Sequence, residues 1–124
     1  MATTVESIRG TKTWTFHDEP HEFYDSSDGW DCLRMTMGDA FEVCDEHEEA
    51  MDAVGRAEGA AEFRAACAVR DKADANWQVA WGAVVADICA LARAMEREGW
   101  GTYSRAVRRV ESYYRECYRD RFGG

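Results

Sequence analysis

Alternating polar and apolar residues mark the first third of the chain. The alternation over residues 11–16 is typical of a half-buried β-strand, and the Asp18-Glu19-Pro20 turn follows it. Residues 22–24 resemble a weaker strand, residues 25–29 are rich in turn-forming side chains, and residues 30–37 predict a further strand. The pattern thus predicts a small antiparallel meander of two or three strands, which is too small to be stable unless it packs on helices.

From Gly38 onward the hydrophobic spacing changes to that of helices. Asp39 is a good N-cap, and Glu42 three residues later can complete a capping box, so we expect the first helix to begin there. Gly55 and Gly59 mark its expected end. Its apolar face carries Phe41, Cys44, His47, Met51 and Val54.

A second apolar stripe runs from Ala60 to Met95 in steps of three and four residues. Arg70 and Asp74 interrupt it, so the sequence predicts either one long helix or two helices with a break near residues 71–75. Thr102 or Ser104 is expected to cap a last helix.

Together these elements predict a helix-dominated α+β fold, in which a small N-terminal antiparallel β-meander packs on three or four α-helices. At 124 residues the chain is long enough for one domain, with a β-rich acidic part over residues 1–37 and a helical part over residues 38–124.

The composition argues against a disordered, a secreted or a membrane-spanning protein. With 46% apolar residues and five tryptophans, intrinsic disorder is not expected. An odd number of cysteines and no secretory leader pattern favour a reduced, cytoplasmic protein. Residues 77–95 approach membrane-spanning length but include Gln78, Asp87 and Arg93, so we expect a buried helix and no membrane contact.

Charge is divided unequally along the chain. Residues 1–62 carry 16 acidic and 4 basic side chains, whereas residues 63–124 carry 8 and 11, so the formal net charge of −9 is the sum of −12 and +3. Because affinity for nucleic-acid phosphates comes from Lys and Arg, we expect no direct contact with nucleic acid.

An acidic stripe on the first helix is the most informative feature of the sequence. Its members, Glu42, Asp45, Glu49 and Asp52, recur every three or four residues. No Lys or Arg lies between residues 35 and 55 to relieve the repulsion between these carboxylates. The stripe therefore meets a basic partner surface, imitating a row of DNA phosphates, or is a solvated helix face, or pairs with basic residues of the last helix. The candidate partner-binding residues are Glu42, Asp45, Glu46, Glu49, Asp52, Asp28, Asp31 and Trp30.

Zinc-compatible side chains also cluster in the first half, at His17, His21, Cys32, Cys44 and His47. Their spacing matches no standard zinc motif, and the apolar helix face already accounts for Cys44 and His47. We therefore expect no metal and no cofactor. No nucleophile motif or phosphate-binding loop is present either, and the cysteines lie mostly on apolar faces, so we expect no enzymatic activity.

In profile, this short, acidic, motif-free α+β chain resembles the small proteins with which phages and mobile elements inhibit host defence, such as anti-CRISPR and DNA-mimic antirestriction proteins. The resemblance covers composition and organisation only. It implies a non-enzymatic inhibitor whose acidic helix occupies the basic, nucleic-acid-binding surface of a host complex.

Two alternatives remain open. In the first, the chain is a small structural or adaptor subunit, monomeric or homodimeric, whose acidic and basic helix faces pair internally. A homodimer would use the heptad-spaced stripe at Trp77, Trp81, Val84, Ile88 and Leu91. In the second, the chain is a zinc-stabilised module.

Overall fold

The computed structural model describes residues 2–17 and 21–123. The elements in chain order are β1 (Ala2–Glu6), β2 (Thr13–His17), α1 (Ser26–Arg56), α2 (Ala60–Arg97) and α3 (Tyr103–Phe122). This order confirms the helix-dominated α+β fold with a small N-terminal antiparallel sheet packed against the helices. The predicted turn at residues 18–20 lies outside the described residues.

The two strands form an antiparallel hairpin in which Val5 pairs with Trp14. β2 matches the strand predicted at residues 11–16, while β1 is an element that the alternation analysis did not predict. Val5, Trp14 and Phe16 are buried against the helices, so one face of the hairpin is part of the core. Gly10 has a φ of +68°, which suits glycine in the connecting turn.

The strand predicted at residues 30–37 is wrong, because these residues belong to α1. The helix begins at Ser26 and is capped by Asp25, whose side chain accepts a hydrogen bond of 2.8 Å from the amide of Asp28. Asp39 is therefore a mid-helix residue and not an N-cap. Residues 22–24 form no strand and lead into the helix.

Helical spacing explains why the helix prevails over the strand in this segment. Leu33, Met37 and Ala40 follow one another at intervals of four and three residues, and all three are buried. Gly29 lies on the same helix and is buried next to Phe23 and Leu91. The change from β to helical structure therefore falls near residue 25 and not at residue 37.

α2 is one continuous helix of 38 residues, so the break allowed near residues 71–75 does not occur. Its length is about 57 Å at 1.5 Å per residue. The helix continues because Arg70 and Asp74 stay at the surface, where Arg70 pairs with Asp71 and Asp74 pairs with His47. By length and composition α2 could cross a membrane, but 56% of its most apolar window is buried inside the protein, as in a core helix.

α3 begins after Thr102, whose side chain accepts a hydrogen bond of 3.3 Å from the amide of Arg105, as one of the two predicted caps. It runs back along α1 and α2, so that Tyr114 meets Trp81 and Phe122 meets Phe41. With 20 residues, or about 30 Å, α3 is much shorter than α2.

The difference in helix length leaves one end of the molecule thinly packed. We call α1 residues 51–56, the connection, and α2 residues 60–72 the helical arm. No residue from 51 to 72 is buried, although Met51, Phe63 and Val69 are large and apolar. The arm is a pair of helices that lacks the third helix present in the rest of the bundle.

Candidate functional site

The acidic stripe of α1 is largely neutralised within the chain. Glu42 accepts hydrogen bonds from Lys12 and, at 3.0 Å, from the indole of Trp14. These donors hold the pKa of the Glu42 carboxyl below its usual value. Lys12 and Trp14 of the hairpin therefore relieve part of the repulsion between the acidic residues of α1, which no basic residue between positions 35 and 55 can relieve.

Two more ion pairs extend this neutralisation along the stripe. Asp45 pairs with Arg121 of α3 at 2.5 Å, and Glu49 pairs with Arg9 of the hairpin loop. Both pairs are partly exposed, so each stabilises the fold only weakly. They do, however, place a cation beside each of these two carboxylates.

Glu46 is not available to a partner, in contrast to the sequence prediction. It is 4% exposed and accepts hydrogen bonds from the Ser7 hydroxyl at 2.5 Å and the Ile8 amide at 2.9 Å. Ser7 is itself completely buried. The carboxylate therefore attaches the end of β1 to α1.

The other predicted partner-binding residues lie at separate places on α1. Asp52 is exposed near the end of the helix, and Asp28 is exposed in its first turn. Asp31 pairs with Arg34 at 3.1 Å. Trp30 packs edge-on against Tyr113 with 5.1 Å between ring centroids, and is only partly exposed.

The zinc-compatible residues fall into two separate groups. His17, His21 and Cys32 line one cavity, while Cys44 and His47 line another. Among residues 2–17 and 21–123, no three His, Cys, Asp or Glu side chains come together as a metal-binding group.

In each group one member has a polar contact within the protein. His21 pairs with Asp87 at 2.9 Å, and Asp87 accepts a hydrogen bond of 2.5 Å from Thr36. Burial raises the pKa of the Cys44 thiol, whose sulfur accepts a hydrogen bond from the Trp77 indole at 3.2 Å. A thiol with a raised pKa is a poor nucleophile, so Cys44 is not activated for catalysis.

Asp87 is a structural residue that the analysis of motifs missed. It is 5% exposed and lies inside the most apolar part of α2. The signal that could have identified it is a carboxylate where hydrophobic spacing predicts a buried helix, because a buried charge needs partners.

A groove between α2 and α3 is lined mainly by aromatic side chains. It has a volume of about 700 Å³. Its lining residues are Trp77, Trp81, Tyr114, Arg115, Tyr118 and Arg119. Trp77 and Trp81 are 37% and 40% exposed, which is unusual for the largest apolar side chain.

The aromatic rings of the groove form a continuous series. Trp77 and Trp81 are nearly parallel, with an interplanar angle of 6° and 6.3 Å between centroids. Trp81 lies 5.4 Å from Tyr114, which in turn lies 6.3 Å from Tyr118. Because each ring is held by its neighbours, the groove is largely preformed.

The heptad-spaced stripe of α2 therefore has two parts. Val84, Ile88 and Leu91 are buried in the core of the protein. Trp77 and Trp81 remain partly exposed although α3 passes beside both of them, because Tyr114 and Tyr118 line the groove next to their rings without covering them.

The groove combines positive charge with apolar area. Arg115 and Arg119 supply positive charge, and the rings supply apolar area. Burial raises the pKa of Tyr114 to about 12, so its hydroxyl is neutral at physiological pH. None of the lining side chains is a nucleophile beside a general base.

Comparison of the chain with protein-family models, with curated proteins and with solved structures finds no match.

Proposed function

We propose that the protein is a small, non-enzymatic structural or adaptor subunit whose interaction surface is the aromatic groove between α2 and α3. The observation that carries this proposal is the exposure of Trp77, Trp81 and Tyr118 in one preformed groove beside two arginines. Trp, Tyr and Arg are the residue types that contribute most to protein interfaces.

The ion pairs of α1 support this function over one that depends on the acidic stripe. Glu42, Asp45 and Glu49 each face a cation of the same chain, and Glu46 is buried. A basic partner would have to compete with these internal cations. These acidic residues of α1 are thus paired with basic residues of the same chain and are less available to a partner.

The anti-defence inhibitor remains a second candidate, favoured by the exposure of Glu48 and Asp52. These two carboxylates and the partly exposed acids beside them leave this side of α1 with more acidic than basic groups. In that function the acidic side would occupy the basic surface of a host nucleic-acid-binding complex.

Affinity capture with three forms of the full chain separates the two functions. The wild type is compared with a groove variant, Trp81→Ala with Arg119→Glu, and an acidic variant, Glu48→Gln with Asp52→Asn. Groove binding predicts that a bound protein is lost with the groove variant, retained with the acidic variant and little affected by salt.

Two outcomes contradict the proposed function. Capture that is lost with the acidic variant and with added salt would instead favour the inhibitor. Capture that both variants retain would show that neither surface is used. Circular dichroism of each variant verifies that its helices are intact.

A further inference from the structure

The helical arm and the aromatic groove share one face of α2. Phe63, Trp77 and Trp81 are separated by 14 and 4 residues, or about 3.9 and 1.1 helical turns, so they lie close to one row along the helix. Beyond Trp81 the next side chains in line with this row, Val84 and Ile88, are buried, whereas Trp77 and Trp81 lie beside α3 and remain partly exposed. Phe63 is 49% exposed, and the row is therefore open from the arm to the groove.

The row also has an internal symmetry. Its positions are 63, 67, 70, 74, 77 and 81, with spacings of 4, 3, 4, 3 and 4 residues, and this pattern is the same in both chain directions about residue 72. The residues are Phe63, Cys67, Arg70, Asp74, Trp77 and Trp81. A row with such spacing can pack against a reversed copy of itself in the manner of an antiparallel coiled coil.

We propose that the partner in the aromatic groove is a second copy of this chain, bound through an antiparallel α2–α2 contact around a two-fold axis near residue 72. This inference rests on the proposed function and names the occupant of its site. Phe63 then faces Trp81 of the second copy, and Cys67 faces Trp77 of the second copy. The symmetry makes each contact twice, as in the common two-fold dimers.

Charge complementarity supports the antiparallel direction. At the centre of the row, Arg70 faces Asp74 of the second copy, and Asp74 faces Arg70 of the second copy. In the monomer Arg70 pairs with Asp71 at 3.2 Å and Asp74 pairs with His47, while the side chains of Arg70 and Asp74 both remain partly exposed and within reach of a second copy. A parallel contact would instead place the two Arg70 side chains opposite each other, which is repulsive.

The edge of the groove supports the same arrangement. In the dimer, the helical arm of the second copy lies beside Arg115 and Arg119 of α3. The arm carries Glu62 in the first turn of α2, next to Phe63, and Glu62 is exposed. The second copy therefore brings a carboxylate to the basic edge and a third helix to the part of the bundle that lacks one.

Charge reversal tests the contact directly, with mass measured by size-exclusion chromatography and light scattering. The wild type is expected at twice the 14.1 kDa mass of the chain. Arg70→Asp and Asp74→Arg each create two like-charge contacts, so each alone is expected to raise the dissociation constant of the dimer more than about tenfold. The double variant restores opposite charges and should dimerise again.

Mixing the two single variants gives the sharpest result. In a heterodimer of Arg70→Asp with Asp74→Arg, both central contacts join opposite charges, so two chains that do not self-associate should form a 1:1 dimer. Lys72→Asp is the matched control, because it makes the same charge change at an exposed position on another side of α2. This control should remain dimeric.

Several results would overturn the inference. They are a wild-type monomer at high micromolar concentration, a dimer that neither reversal weakens, or single variants that fail to pair on mixing while their helices are intact. A monomer that still captures another protein through the groove would refute the dimer but leave the proposed function standing. A monomer without groove-dependent capture would refute both.

Discussion

Replacement of Glu46 by alanine is the most direct test of how the hairpin is held to the helices. Glu46 accepts one hydrogen bond from the Ser7 hydroxyl and one from the Ile8 amide. Every buried side-chain nitrogen and oxygen of the described residues has a hydrogen-bond partner. Glu46→Ala would leave the Ser7 hydroxyl proton and the Ile8 amide without their acceptor, while the Ser7 oxygen still accepts a hydrogen bond of 3.1 Å from the Arg9 amide.

The expected loss follows from these two bonds. A hydrogen bond to a charged group contributes about 1.5 to 3 kcal/mol, and a buried donor left unpaired costs a similar amount. We therefore expect Glu46→Ala to lower the free energy of unfolding by about 3 to 5 kcal/mol. That is a large share of the stability of a typical domain.

Urea denaturation followed by circular dichroism measures this loss. With a slope of about 2 kcal/mol per molar urea, a loss of 4 kcal/mol lowers the midpoint by about 2 M. Glu48→Ala is the matched control, because Glu48 is an exposed residue of the same type on the same helix, so changes in helix propensity cancel. If both variants unfold within about 0.5 kcal/mol of the wild type, Glu46 does not hold the hairpin.

Three further predictions test other parts of the fold. Gly29→Ala should lower the midpoint of thermal unfolding, because the new Cβ would lie 2.8 Å from side-chain atoms of Leu91 and Phe23. This crowding outweighs the gain in helix propensity, and a higher midpoint would contradict the prediction. Because the pKa of Glu42 is lowered in the folded protein, the ionised carboxylate stabilises the fold above pH 4.5, and this stabilisation is lost as the pH falls further. The difference in unfolding free energy between wild type and Glu42→Gln should therefore shrink on acidification, and a constant difference would refute this. Because the pKa of Tyr114 is raised, its contribution to folding stability is fully present below pH 10 and is lost as the pH rises to about 12. Tyr114→Phe should therefore weaken the alkaline loss of stability, and an unchanged dependence of stability on alkaline pH would count against the burial of this hydroxyl.

Local signals in the sequence were sufficient for several elements. The apolar spacing of α2, the glycines near the end of α1 and the Thr102 cap each act within a few residues, so the helices after residue 38 could be predicted. β1 could have been found from its β-branched residues, since three of its five residues are Thr or Val.

Other features required the tertiary structure because two local patterns competed. Residues 30–37 fit an alternating strand, yet Leu33 and Met37 also fit a helix. Packing against α2 decides between them, since the helical spacing puts both side chains in the core. Because these residues were predicted as a strand, the predicted start of the first helix fell at Asp39, whereas α1 begins at Ser26.

The sequence by itself determined that the chain carries an acidic stripe on a helix, a basic last helix and a long apolar helix with two tryptophans. Only the tertiary structure decided which of these surfaces remains free. Arg9 and Lys12 lie 40 and 30 residues from their acidic partners, and Arg121 lies 76 residues from Asp45, so no local pattern predicts these pairs. Trp77 and Trp81 are likewise exposed because α3 lines a groove beside them without covering them, and a residue is buried only where another element covers it.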